Sequence, residues 1–161
     1  MTYWTVPLLF LAGLAWWTLL EYLLHRFMFH RAGSRHLKHH ARLDDRRLAL
    51  APLSSALGGI AIHAVVFIGL FGLGAGLSLL AGVVTGYLAY EWVHWATHYR
   101  VPHSHALKAL RRHHMIHHHA QHDARFGVTT PLWDWVFRTL PPAPGRGGSA
   151  AMRGGRPHLS H

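Results

Sequence analysis

From residue 48 to residue 90 the chain runs for 43 positions without one Asp, Glu, Lys or Arg. As a single helix this stretch would be roughly 65 Å long, about twice the thickness of a bilayer's hydrocarbon core. It therefore reads as two membrane spans joined by a turn. The glycines of Phe71-Gly72-Leu73-Gly74-Ala75-Gly76 offer that turn. The expected spans are 50–71 and 77–95. An earlier apolar segment, 3–22, with Glu21 near its end, is also long enough to cross. It lacks the basic start and the small-residue cleavage site of a signal peptide. The expectation is an all-α integral membrane protein with about three transmembrane helices.

The placement of charge gives these spans a direction. The 16 Lys and Arg outnumber the 6 Asp and Glu, and all of the basic residues lie in two blocks, 26–47 and 100–156. A basic excess of this size raises nucleic acid as a partner. Its confinement to segments beside uncharged spans instead describes a membrane protein with one basic face. Three spans put both blocks on the same side, which the positive-inside rule makes cytoplasmic. The N-terminus and the glycine turn then face outward, across the inner membrane if the source is bacterial. The absence of cysteine excludes disulfide scaffolds, thiolate zinc sites, cysteine-held iron–sulfur clusters and cysteine catalysis. Residues 1–140 are expected to form one membrane-embedded domain, with 103–140 partly helical. Residues 141–161, rich in Pro, Gly and Arg, are expected to be a disordered tail.

Eighteen histidines are far more than composition explains, and ten of them fall into four clusters on the basic side. His25 and His30 form an H-x4-H pair, and His94 and His98 an H-x3-H pair. His36, His39, His40 and His114, His117, His118 form two H-x2-H-H triples. Helical residues i, i+3 and i+4 share a face, so each triple is expected to aim three imidazoles at one point. An i,i+5 pair lies about 140° apart on a regular helix. His25 and His30 thus suit two different metals, or a helix that ends between them. Ten imidazoles exceed any mononuclear site, and two metals with about five ligands each is the expected arrangement. A helical, histidine-rich cytoplasmic cap would hold this dinuclear centre.

The ordered motifs resemble the fatty acid hydroxylase/sterol desaturase superfamily of membrane histidine-rich di-iron enzymes. The match is carried by Glu21-Tyr-Leu-Leu-His25-Arg-Phe-Met-Phe-His30, His36-Leu-Lys-His39-His40 and Tyr90-Glu-Trp-Val-His94-Trp-Ala-Thr-His98. It continues with Arg112-His-His114-Met-Ile-His117-His118 and Phe126-Gly-Val-Thr-Thr-Pro-Leu-Trp-Asp-Trp-Val-Phe-Arg-Thr139. The last segment is most similar to fatty acid 2-hydroxylases. The short gap from His30 to His36 and the chain length also resemble bacterial β-carotene hydroxylases. Relative to the lipid 2-hydroxylases, three spans are expected in place of the usual four, and no cytochrome b5 domain is expected within these residues.

The resemblance implies two Fe ions held by the ten clustered histidines, with O2 as co-substrate and a membrane lipid, most simply an acyl chain, as the substrate. Zn can take the place of Fe during expression. No dinucleotide, flavin or haem motif is visible, so electrons are expected from a separate reductase, ferredoxin or cytochrome. Glu21 and Glu91, at helical spacing from His25 and His94, are expected to accept hydrogen bonds from those rings. His103 and His113 are candidates for the same supporting layer. Tyr90, Trp95 and Trp133, with Tyr87, Trp92 and Trp135, either line a substrate entrance or form an interfacial aromatic belt. His63, halfway along the second span, either bonds to a neighbouring helix or contacts substrate. A carotenoid ring hydroxylase is the alternative enzyme. A metal-binding or metal-transport membrane protein is the alternative of another class, disfavoured because only His63 lies near mid-membrane.

Overall fold

The computed structural model describes residues 4–31 and 34–142, all of whose regular structure is helical. Helix α1 (Thr5–Leu24) passes without a break into a π-helical turn (His25–Phe29). Next come α2 (Arg35–Ala41), the long α3 (Leu53–Tyr99), α4 (His105–His119) and the short α5 (Leu132–Val136). Ser34 and Ser104 start α2 and α4 by accepting the amide N–H of Leu37 at 3.1 Å and of Leu107 at 3.2 Å. The expected tail begins with the irregular Pro141 and Pro142, and 143–161 lie outside the described residues.

Helix α3 is not straight. Gly72 adopts φ 77° and ψ 169°, a backbone conformation closed to L side chains, and the chain turns back on itself there. A Cβ on Gly76 would lie 2.7 Å from Ile68 Cα, whereas eight residues of unbroken helix would separate them by about 12 Å. The two arms run side by side far enough for Glu91 to accept the amide of Ala51 at 3.2 Å. The turn thus falls within the glycine run where the sequence places it.

Helix α1 packs closely on the second arm, and small residues make the approach possible. A Cβ on Gly82 would sit 2.1 Å from Phe10 O, and one on Gly13 2.1 Å from Leu79 O. Contact at this distance is how apolar helices gain packing energy where lipid removes the hydrophobic drive between them. Trp17 lies over Gly86 and meets Tyr87 edge-to-face at 5.3 Å. With Val83, Tyr90, Val93 and Val128 it makes the apolar core.

Two helical segments, Thr5–Phe29 and Leu53–Tyr99, are long and apolar enough to cross a membrane. Their apolar side chains mostly face outward, with Leu8, Val65, Leu70 and Leu73 all at least 65% exposed. The core helix of a water-soluble domain shows the reverse pattern. The polar histidine-bearing elements collect at the end formed by the π turn, α2, the end of α3 and α4.

Candidate metal centre

Four elements carry the ten clustered histidines into one space, where they form two groups of five. His25, His30, His36, His40 and His117 make one, and His39, His94, His98, His114 and His118 the other. Within each group the five candidate ligand atoms lie within 4.8 Å of one another. Two local expectations are corrected by this partition. The H-x2-H-H triples do not converge on one point: His36 and His40 join one group and His39 the other. His114 and His118 likewise part from His117. At 100° per residue, i and i+4 differ by about 40°, while i+3 and i+4 differ by about 100°. Each triple therefore straddles both groups. A helix does end between His25 and His30, at Phe29, but the two rings belong to one group rather than to different metals, with centroids 5.1 Å apart. The π turn between them is the reason, because its i→i+5 bonding brings residues five apart onto nearly one face.

The ring atoms that converge are Nε2. In the first group the contacts are His25–His36 at 2.8 Å, His36–His40 at 3.0 Å and His30–His117 at 3.1 Å. In the second they are His39–His98 at 3.0 Å, His98–His114 at 2.9 Å and His114–His118 at 3.0 Å. Three rings have their tautomer set from behind by a backbone carbonyl. His25 Nδ1 donates to Phe126 O at 2.5 Å, His117 Nδ1 to Ala124 O at 2.6 Å and His94 Nδ1 to Ala49 O at 2.8 Å. Each then presents an Nε2 lone pair inward. His94 Nε2 is buried and has no hydrogen-bond donor. Converging lone pairs without donors fit cations, and an imidazole-only donor set suits first-row transition metals.

The rings outside the membrane-spanning segments are held neutral by burial. It pushes His39 and His117 down to about 4 and, with nearby His117 and His30 adding to it, His40 to about 2. His36, His114 and His118 are driven well below the ordinary imidazole range by the same cause. Unfolding restores a value near 6.5, so the unfolded chain binds more protons than the folded chain between that pH and about 4. Stability from this source is complete above about pH 6.5 and declines as the pH falls toward 4. The metal-free protein in detergent is expected to lose thermal stability steadily from pH 7 to 4.5. A melting temperature flat across that range would contradict the assignment.

The carboxylates act one step further back than expected. Glu21 does not meet His25. Its Oε1 accepts the amides of Val128 at 3.1 Å and Thr129 at 2.8 Å, fixing the segment whose Phe126 carbonyl orients His25. Glu91 does not meet His94. It accepts the Ala51 amide and so holds the segment whose Ala49 carbonyl orients that ring. Asp134, which carries no specific role in the sequence reading, is fully buried and accepts four hydrogen bonds. They come from Phe126 N at 2.8 Å, Gly127 N at 2.9 Å, Thr139 Oγ1 at 2.7 Å and His113 Nε2 at 3.0 Å. Burial alone would raise this carboxyl, but the bonds from His113, Thr139 and Gly127 outweigh it and hold it below the usual value. The sequence signal for Asp134 was an acid between Trp133 and Trp135 in an otherwise apolar run. His113 is therefore a partner of Asp134 behind the cluster. His103 is exposed on the loop before α4 and is not part of that layer.

An apolar cavity of about 620 Å3 reaches the cluster between α1 and the two arms of α3. His36 and His94, one from each group, form its histidine end, and Tyr90 and Tyr87 line its wall. Trp95 and Trp133 lie outside the lining. Trp95 lies tilted beside Tyr99 with the Arg100 guanidinium over its ring, and Trp133 Nε1 donates to Thr18 Oγ1 at 3.0 Å. His63 lines the cavity and bonds to α1 through Trp16 Nε1 at 3.2 Å, which is the first of the two readings of it.

The family model described as fatty acid hydroxylase matches residues 10–139. The chain is 34% identical over 158 residues to the fatty acid 2-hydroxylase of Homo sapiens, covering 84% of this chain and 40% of the human protein. It is 32% identical over 152 residues to a dihydroceramide fatty acyl 2-hydroxylase of Arabidopsis thaliana, covering 88% of this chain and 64% of the plant protein. The visible hydroxylase domain of full-length Scs7p superposes with a TM-score of 0.81 at 28% identity, covering 90% of this chain and 60% of that one. The chain thus spans about 40% of the length of its human relative. With the histidine motifs, the helical fold and the family match in agreement, the chain belongs to the fatty acid hydroxylase family.

Proposed function

We propose that this chain is an O2-dependent di-iron hydroxylase that acts on the acyl chain of a membrane lipid. The observation that carries the reading is the meeting of the two histidine groups at one end of an apolar cavity, with His36 and His94 facing into it from either group. The ten clustered histidines would hold two irons, five imidazoles to each. Bound there, they would supply the activation of O2 for insertion of one oxygen atom into an unactivated C–H bond, with two electrons and two protons taking the other atom to water.

The chain's own residues do the positioning. The Phe126, Ala124 and Ala49 carbonyls keep three rings in the Nε2 lone-pair tautomer. Trp17, Leu20 and Val83 give the cavity an apolar wall that suits an acyl chain. The confinement of Lys and Arg to two blocks supports three membrane crossings with the N-terminus outside and the cluster in a cytoplasmic cap. Two electrons arrive from a separate carrier at the basic face around Arg111 and Arg112. Reversing both charges is expected to slow reduction in a salt-dependent way.

Expression of the unsubstituted chain and of His117→Ala in a host with a compatible electron carrier tests the function. Lipids heavier by one oxygen on the acyl chain are expected only with the unsubstituted chain. An oxidised carotenoid with untouched acyl chains would replace this reading with the ring-hydroxylase alternative. No oxidised lipid in an iron-loaded, reduced sample would favour metal binding or transport.

A further inference from the structure

The cavity runs away from the cluster along the first arm of α3, and the side chains along that wall change abruptly. Pro52, Ser55, Ala56 and Gly59 are small and leave room, whereas the lining residues that follow, Ile60, Ile62 and His63, are bulky. His63, one helical turn beyond Gly59, has its ring tied on both sides. Nδ1 donates to Gly59 O at 2.8 Å, and Nε2 accepts from Trp16 Nε1 at 3.2 Å. Those two bonds use both ring nitrogens of a neutral imidazole, so His63 offers no free polar atom to the cavity. The Trp16–His63 bond also joins α1 to the first arm at that depth. From Pro52 to His63 is eleven residues, about 16 Å of helix. The cavity therefore has a histidine-lined end at His36 and His94 and a far end at a cross-braced bulky pair.

We infer that this far end measures the substrate: the wall of Gly59 and His63, braced by Trp16, sets the longest acyl chain that can lie with its reacting carbon at the histidine cluster. The inference rests on the acyl-chain reading above and adds the residues that decide chain length. A straight apolar chain anchored at the cluster can extend only until it meets the first side chain that cannot move aside. His63 is held by two hydrogen bonds that have no substitute partner in an apolar surrounding, so displacing it leaves polar atoms unpaired there. Gly59 lies one turn nearer the cluster, on the same helix face.

Two neighbouring glycines make the test clean. A Cβ at either Gly58 or Gly59 would meet nothing within 4 Å, so a side chain can start from both without a clash at its first atom. Only Gly59 lines the cavity. Both substitutions also favour a helix, since leucine is a better helix former than glycine. The unsubstituted chain, Gly59→Leu and Gly58→Leu are expressed in hosts fed saturated fatty acids of graded length. Hydroxylated acyl chains are then measured by mass, length by length. Gly59→Leu is expected to lower the hydroxylated share of the longest chains about tenfold while keeping that of the shortest, and Gly58→Leu to match the unsubstituted chain. Retained short-chain product shows that Gly59→Leu is folded. The same length profile in all three proteins would overturn the inference and leave the acyl reading standing, as would an equal shift in Gly58→Leu. Loss of product at every length in Gly59→Leu would also overturn it. No hydroxylated acyl chain from the unsubstituted protein would overturn both.

Discussion

His25→Ala and His94→Ala are each expected to lower hydroxylation at least about a thousandfold, which corresponds to roughly 4 kcal/mol in the barrier. Both rings are almost fully buried, and each belongs to a different group of five. Each loss should therefore remove one ion and leave the other group intact. Metal content is expected to fall from about two ions per chain toward one in either variant, and further in the double variant. His119→Ala, an exposed ring outside both groups, is expected to keep metal and turnover. Elemental analysis beside lipid mass measurement checks the prediction. Two ions retained in His94→Ala with normal turnover would show that the grouping does not describe the ligands.

Asp134→Ala should have the largest effect on stability. The carboxylate takes four hydrogen bonds in a fully buried setting, two of them from the consecutive amides of Phe126 and Gly127. Its removal strands those amides and the His113 ring together, and breaking a buried charged partnership typically costs about 3–5 kcal/mol. Tyr22, which bonds to Thr139 Oγ1 at 3.0 Å, loses its alignment with the same segment. Because Phe126 O orients His25, metal content should fall as well. A drop in melting temperature of roughly 10 °C or more in detergent is the expected result. Asp134→Asn keeps the shape and one acceptor oxygen and should fall in between. A melting temperature for Asp134→Ala within about 2 °C of the unsubstituted chain would remove Asp134 from this role.

The parts of this molecule that were legible in its sequence are those written in side-chain identity and spacing. Four histidine clusters, an uncharged run too long for one crossing and a glycine turn at its middle are patterns in the sequence, and the folded chain carries all of them. What was not legible depends on backbone groups and on departures from ideal helical geometry. The carbonyls of Phe126, Ala124 and Ala49 orient rings, yet every residue has a carbonyl and none announces its partner. Glu21 and Glu91 stood at the right spacing for their histidines. The structure spends them instead on amides across the fold, because long-range partners compete with local ones. The π turn reversed the geometric meaning of the H-x4-H spacing, which is computed for a regular helix. Trp95 and Trp133 illustrate the ambiguity of aromatics near a membrane surface, where the same residues serve as wall, brace or anchor.

The bond from His25 to Phe126 spans 101 positions, and that from Glu21 to Thr129 spans 108. Their consequence is one of timing. A chain emerging from the ribosome forms α1 and the π turn early, while the carbonyl that sets the His25 tautomer is still unmade. Contacts this distant in sequence carry a large loop-closure cost and form late. The Asp134 clasp, which holds Phe126 in place, lies later still. Until that clasp closes, His25 stands without its backing carbonyl, and α5 completes the support that the first helix began.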